Sequence, residues 1–100
     1  MATTVSLVVK LVAKAGMEEE LATFLKGAVQ LADDEPGTPL WLALRSDTAT
    51  FWIVDAFPGT VERQAHLEGP IAAALMQHAD RLLALPPEIN TADVLASKVV

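Results

Sequence analysis

One hundred residues with no cysteine, seven Lys and Arg and a formal net charge of −6 make a small acidic chain. That length holds one domain, residues 1–100, with a single core of modest size. Disulfides and thiolate metal sites are excluded, and the missing basic footprint argues against nucleic acid and anionic membranes as partners.

Hydrophobic residues make up 52% of the chain, and the mean hydropathy of +0.37 is high for a domain with so much surface per volume. The excess predicts that some surface is buried by a partner, most economically a second copy of the chain. The opening "MATTVSLVVKLVAKAG" lacks a basic start before an unbroken apolar stretch. Lys10 and Lys14 interrupt it well short of the ~18 residues a membrane-spanning helix needs, so a cytoplasmic protein is expected.

Residues 5–13 alternate, with Val5, Leu7, Val9, Leu11 and Ala13 on one face and Ser6, Val8, Lys10 and Val12 on the other. This β-branched period of two predicts a strand that is partly apolar on both faces. After Gly16, Met17, Leu21, Phe24, Leu25, Ala28, Leu31 and Ala32 recur at helical spacing. Glu18, Glu19 and Glu20 suit the positive end of that helix, and Pro36-Gly37 ends it.

"TPLWLALRS" and "TFWIVDAF", separated by "DTA", predict a hairpin. Leu40, Leu42 and Leu44 point one way, against Trp41, Ala43 and Arg45. On the second strand Phe51, Ile53, Asp55 and Phe57 oppose Trp52, Val54 and Ala56. Pro58-Gly59-Thr60 then starts a short helix over 61–68, and a second restarts at Pro70 after the Gly69-Pro70 break. Its expected apolar stripe is Ile71, Ala72, Leu75, Met76, Ala79, Leu82 and Leu83. Pro86-Pro87 stops it, and "EINTADVLASKVV" reads as a last strand.

The order is β-α-β-β-α-β, an α+β ferredoxin-like arrangement with an antiparallel sheet and both helices on one face. Strands that are apolar on both sides predict that the open face is buried by a twin, giving a homodimer.

The stretches "EPGTPLWLALR", "FWIVDAF" and "ERQAHLEGPIAAAL" resemble the antibiotic biosynthesis monooxygenase superfamily of dimeric α/β barrels, over roughly residues 4–98. Asp55, Phe57, Ala65, His66 and Leu67 carry the most specific part of the resemblance. It implies a homodimer with a small apolar pocket in each subunit, between sheet and helices. It also implies oxidation of a phenol, anthrone or quinol by dioxygen with no cofactor, neither metal nor flavin. The deprotonated substrate supplies the electrons, so the protein needs a base, an apolar pocket and aromatic walls. The sequence departs from the superfamily pattern at Ile71, where many members carry a second histidine. It also has no tyrosine and no asparagine in the first strand.

On these grounds Asp55 and His66 are the expected proton-handling pair, with Trp41, Trp52 and Phe57 as walls for a small aromatic ligand. The alternatives stay open. His66 can instead anchor the helix junction, the tryptophans can pack in a core or interface, and Asp55 can sit in a salt bridge with Arg45 or Arg63. His78 falls on the polar stripe and is expected in solvent. Haem ligation by it is the sharper alternative, disfavoured because Ser6 is the nearest polar residue where haem-binding relatives use a strand asparagine. Two histidines twelve residues apart share no ligand face, so no metal is expected. No Ser-His-Asp order, glycine-rich phosphate loop or cysteine nucleophile occurs. The competing function is a non-catalytic homodimer that binds an apolar metabolite or serves a structural role.

Overall fold

A computed structural model describes residues 2–99. The elements are β1 (Val5–Val12), α1 (Glu18–Asp33), β2 (Leu40–Arg45), β3 (Thr50–Phe57), α2 (Thr60–Leu67), α3 (Pro70–Leu82) and β4 (Glu88–Asp93). The four strands form one antiparallel sheet in the order β2-β3-β1-β4, which leaves β2 and β4 at its edges. This is the expected ferredoxin-like α+β fold, with the second helix split at the glycine–proline break. The sheet stays open within one chain, so a closed barrel is not a property of the single subunit. No helix among the described residues is long and apolar enough to cross a membrane.

Strand alternation decides which face takes the helices. Val5, Leu7, Val9 and Leu11 of β1 and Phe51, Ile53 and Phe57 of β3 are buried together with Leu21 and Leu25 of α1 and Leu75 and Leu82 of α3. Within α1 the buried residues Leu21, Leu25, Ala28 and Ala32 recur every three or four positions, so one stripe meets the sheet. Gly16 takes φ +87°, and its N–H is accepted by Glu18 Oε1 at 2.9 Å, which closes the turn into that helix. In the β2–β3 turn, Asp47 Oδ1 accepts the N–H groups of Ala49 and Thr50, an Asx turn that fixes the hairpin register.

Two expectations about local structure need correction. The last strand ends at Asp93 rather than running to the C-terminus. β4 pairs with β1 only as far as Val5, where β1 begins, and Val94 N–H to Thr4 O is a last rung beyond it. Val100 of the predicted strand lies outside the described residues. Met76 leaves the apolar stripe of α3 and is exposed, because Ile71, Leu75 and Leu82 already occupy the face that meets the core.

The face away from the helices carries Val8 and Val12 of β1, Leu42 and Leu44 of β2, and Trp52 and Val54 of β3. Leu42 and Leu44 are 44% and 46% exposed, so this side of the sheet is apolar and largely uncovered within one chain.

Candidate functional site

His66 ends α2 as a buried residue, where the negative end of a helix dipole favours an imidazolium. Its Nδ1 donates to Glu35 Oε1 at 2.6 Å. Its Nε2 lies 3.1 Å from Asp55 Oδ2, an ion-pair contact outside strict hydrogen-bond geometry. Asp55 itself is 1% exposed. Burial pulls the His66 pKa down, but the nearby Asp55 and Glu35 carboxylates outweigh it and hold the imidazole above its usual range. The ring is therefore stabilised as a cation.

Each element contributes one piece. β3 aims Asp55 to the helix side, in register with Leu7 and Trp41. The loop after α1 brings Glu35, whose Oε1 also accepts from Thr38 Oγ1 at 2.9 Å. Gly69 allows α3 to restart tightly against α2, because a Cβ there would meet the Ala65 and His66 carbonyl oxygens at 3.2 and 3.3 Å. Phe57 is fully buried, with its ring 5.2 Å from the His66 ring.

Four buried side-chain atoms lack a hydrogen-bond partner among the described residues: Glu35 Oε2, Trp41 Nε1 and both oxygens of Asp55. All four belong to this one neighbourhood, since Trp41 is the cross-strand partner of Asp55 and Glu35 shares His66 with it. Orphaned buried polar atoms cost about 1–3 kcal/mol each, so their concentration here marks a place built for something other than stability.

On the far side of Trp41 a cavity of about 410 Å³ opens between α1 and β2. Trp41, Phe51, Ala22, Leu25 and Val29 give it apolar walls, and Glu19, Lys26 and Arg45 supply its charged groups. A second cavity, of about 370 Å³, lies largely on the opposite face of the sheet, beside Ser6, Leu40, Val54 and Ala56, and Asp55 borders this cavity rather than the first. His66 borders neither.

The structure thus brings Asp55, His66 and Phe57 together and sets Trp41 beside them. Trp52 goes elsewhere. It pairs in register with Leu44 and Lys10 on the opposite face, where its Nε1 donates to Ser46 Oγ at 2.8 Å. Of the three aromatics expected as pocket walls, only Trp41 borders the α1–β2 cavity. Phe51, on the same sheet face, takes the place given to Trp52 and Phe57.

Neither arginine proposed for Asp55 pairs with it. Arg45 stands opposite Phe51, about 13 Å along the strand at 3.3 Å per residue, and binds Glu19 at 2.8 Å. Arg63 donates to the carbonyls of Ser6 and Ala92, tying α2 to β1 and β4. His78 is half-buried rather than free in solvent, packed edge-on against Phe24 at 5.5 Å between centroids. Glu35 was missed by sequence reasoning. It follows the helix and precedes Pro36, a setting in which a carboxylate gives no sign of burial. The two ring nitrogens of His66 point at different carboxylates, so Asp55, His66 and Glu35 do not converge on one point as metal ligands would.

The antiparallel order and the split second helix give the chain a fold shared with solved structures of two other proteins. Two proteins carrying the name "putative antibiotic biosynthesis monooxygenase" superpose closely. One, from Nitrosomonas europaea, has TM-score 0.82 and 18% identity over 95% of this chain and 93% of its own. The other, from Deinococcus radiodurans, has TM-score 0.81 and 19% identity over 96% and 97%. The chain belongs to one family with the NE2512 protein of Nitrosomonas europaea, itself of unknown function. Those two share 48% identity over 98% of this chain and 95% of that one, with TM-score 0.96. No protein-family model matches the chain, and no curated protein does.

Proposed function

We propose that the protein is a cofactor-independent monooxygenase that oxidises a small aromatic phenol- or quinol-type substrate with dioxygen. The observation that carries this reading is the buried Asp55, which lies 3.1 Å from His66 Nε2 and is the cross-strand partner of Trp41 at the wall of an apolar cavity.

In this reading the substrate ring lies in the α1–β2 cavity against Trp41 and Phe51, and Trp41, the cross-strand neighbour of Asp55, must shift for the ring hydroxyl to reach that buried carboxylate. Asp55 accepts the phenolic proton. His66, held between Glu35 and Asp55, keeps the Asp55 carboxylate in place. The electron-rich ring then reduces dioxygen. For an anthrone-type CH₂ group the balance is R₂CH₂ + O₂ → R₂C=O + H₂O, in which the O–O bond breaks, one oxygen atom stays on carbon and the other leaves as water. Oxygen uptake with a panel of phenols, quinols and anthrones tests this reading.

The working unit in this proposal is a homodimer joined through the open sheet face. Leu42, Leu44, Val8, Val12, Trp52 and Val54 make an apolar surface there that the chain itself leaves in water.

One observation favours a second reading, a non-catalytic homodimer that binds a small apolar molecule. His66 borders neither cavity, and its bonds to Glu35 and Asp55 also serve to lock the α2–α3 junction to the sheet. Ligand binding without oxygen uptake is the outcome that separates this reading from the first.

A further inference from the structure

The polar groups around the α1–β2 cavity are unevenly matched. Trp41 Nε1 is a donor with no partner, and Lys26 has no ion pair among the described residues. Arg45 uses Nε and one terminal nitrogen on the Thr48 carbonyl and on Glu19, while its other terminal nitrogen donates to nothing among the described residues. The guanidinium lies 4.9 Å from the Phe51 ring centroid, so it is already docked against the wall a ligand ring would touch. Glu19, the one acceptor here, belongs to the first turn of α1 and is 81% exposed, free to swing away. The chain has only seven cationic side chains and a net charge of −6, yet two cations and one anion surround this cavity. Locally the sign of the charge is reversed.

We propose that the cavity selects an aromatic molecule bearing a carboxylate, which displaces Glu19 from Arg45 while the ring packs against Trp41 and Phe51. This rests on the reading of the cavity as the substrate site and names the class of substrate. A carboxylate matches the planar fork of Arg45 with two parallel hydrogen bonds, and Lys26 adds a second positive charge. A neutral aromatic gains the ring contacts alone.

Two probes of equal shape test this: naphthoate and naphthalenemethanol, titrated against the full chain at neutral pH and low salt with tryptophan fluorescence as the readout. Naphthoate is expected to bind about tenfold more tightly, the effect of one charge-assisted hydrogen bond at a solvent-accessible site. Added salt narrows the gap. Arg45→Gln brings the two probes to within about twofold of each other, and Lys26→Gln narrows the gap in part. Equal binding of both probes to the wild-type chain overturns the carboxylate preference and leaves the aromatic site standing. A preference that survives Arg45→Gln and Lys26→Gln together overturns the assignment of these residues. Binding of neither probe overturns both the preference and the substrate site.

Discussion

Glu35 and Asp55 grip the same imidazole from opposite edges, yet they are not equally satisfied. Glu35 Oε1 receives hydrogen bonds from His66 Nδ1 and Thr38 Oγ1, whereas the more deeply buried Asp55 has, among the described residues, only the 3.1 Å contact of its Oδ2 with His66 Nε2. One carboxylate holds the fold together at the α2–α3 junction. The other is kept desolvated at a cost in stability, which is how a proton acceptor is commonly placed.

This asymmetry predicts opposite balances for two isosteric changes. Glu35→Gln loses a charge-assisted hydrogen bond to a buried cation and is expected to cost about 1–3 kcal/mol in urea unfolding. Asp55→Asn loses only the poorly aligned 3.1 Å contact with His66 and is expected to cost less. The reverse ranking would make Asp55 the structural partner and remove the argument for its role.

The pH dependence follows from His66. Its folded-state pKa is raised, first against the pull of burial and then by Asp55 and Glu35, so the protonated ring binds its neighbours more strongly in the folded chain. The resulting stability is fully present below the unfolded value of about 6.5 and fades as pH rises through the raised folded value. Chemical denaturation across that window should show falling stability that flattens in His66→Gln. The NMR titration of the His66 ring should centre above the free-histidine value, and a midpoint below it would contradict the ion-pair geometry.

Gly69→Ala should disturb the site from outside it. The added methyl meets two carbonyl oxygens at 3.2 and 3.3 Å and lies 3.7 Å from Glu35 Oε2. The junction must open slightly, which costs about 1–3 kcal/mol, a fall in Tm of roughly 4–8 °C per kcal/mol for a domain of this size. Differential scanning calorimetry reads this directly, and an unchanged Tm would show that the junction has slack.

The open face predicts self-association. Sedimentation at micromolar concentration should give a dimer, and Leu44→Glu, which places a charge opposite Trp52, should give a monomer with unchanged far-UV circular dichroism. A wild-type chain that sediments as a monomer would show that its apolar face tolerates water.

Most of the fold was legible because strand alternation and helical spacing are local signals. The faces of β1, β2 and β3, the Gly69-Pro70 break and the place of His66 at the end of α2 all follow from them. The end of β4 was not legible, since a strand stops where its neighbour stops and the sequence of one strand does not carry that. Asp55 announced itself as a carboxylate among apolar residues in need of a partner. Which partner it took depended on three-dimensional neighbourhood, and His66 reached it where Arg45 and Arg63 did not. The two tryptophans turned on register alone: Trp41 pairs with Asp55 and Trp52 with Leu44, so they lie on opposite faces. Glu35 was invisible because a loop carries no periodicity from which to infer burial.

The central claim is that buried Asp55 takes a proton from a substrate that then reacts with oxygen. Oxygen consumption with the panel of phenols, quinols and anthrones, compared between the wild-type chain and Asp55→Asn, tests it most directly. The account predicts uptake above buffer for at least one member, reduced about 100-fold or more in the variant while ligand binding persists. Uptake that is the same in both proteins, or absent for every member of the panel, would contradict it.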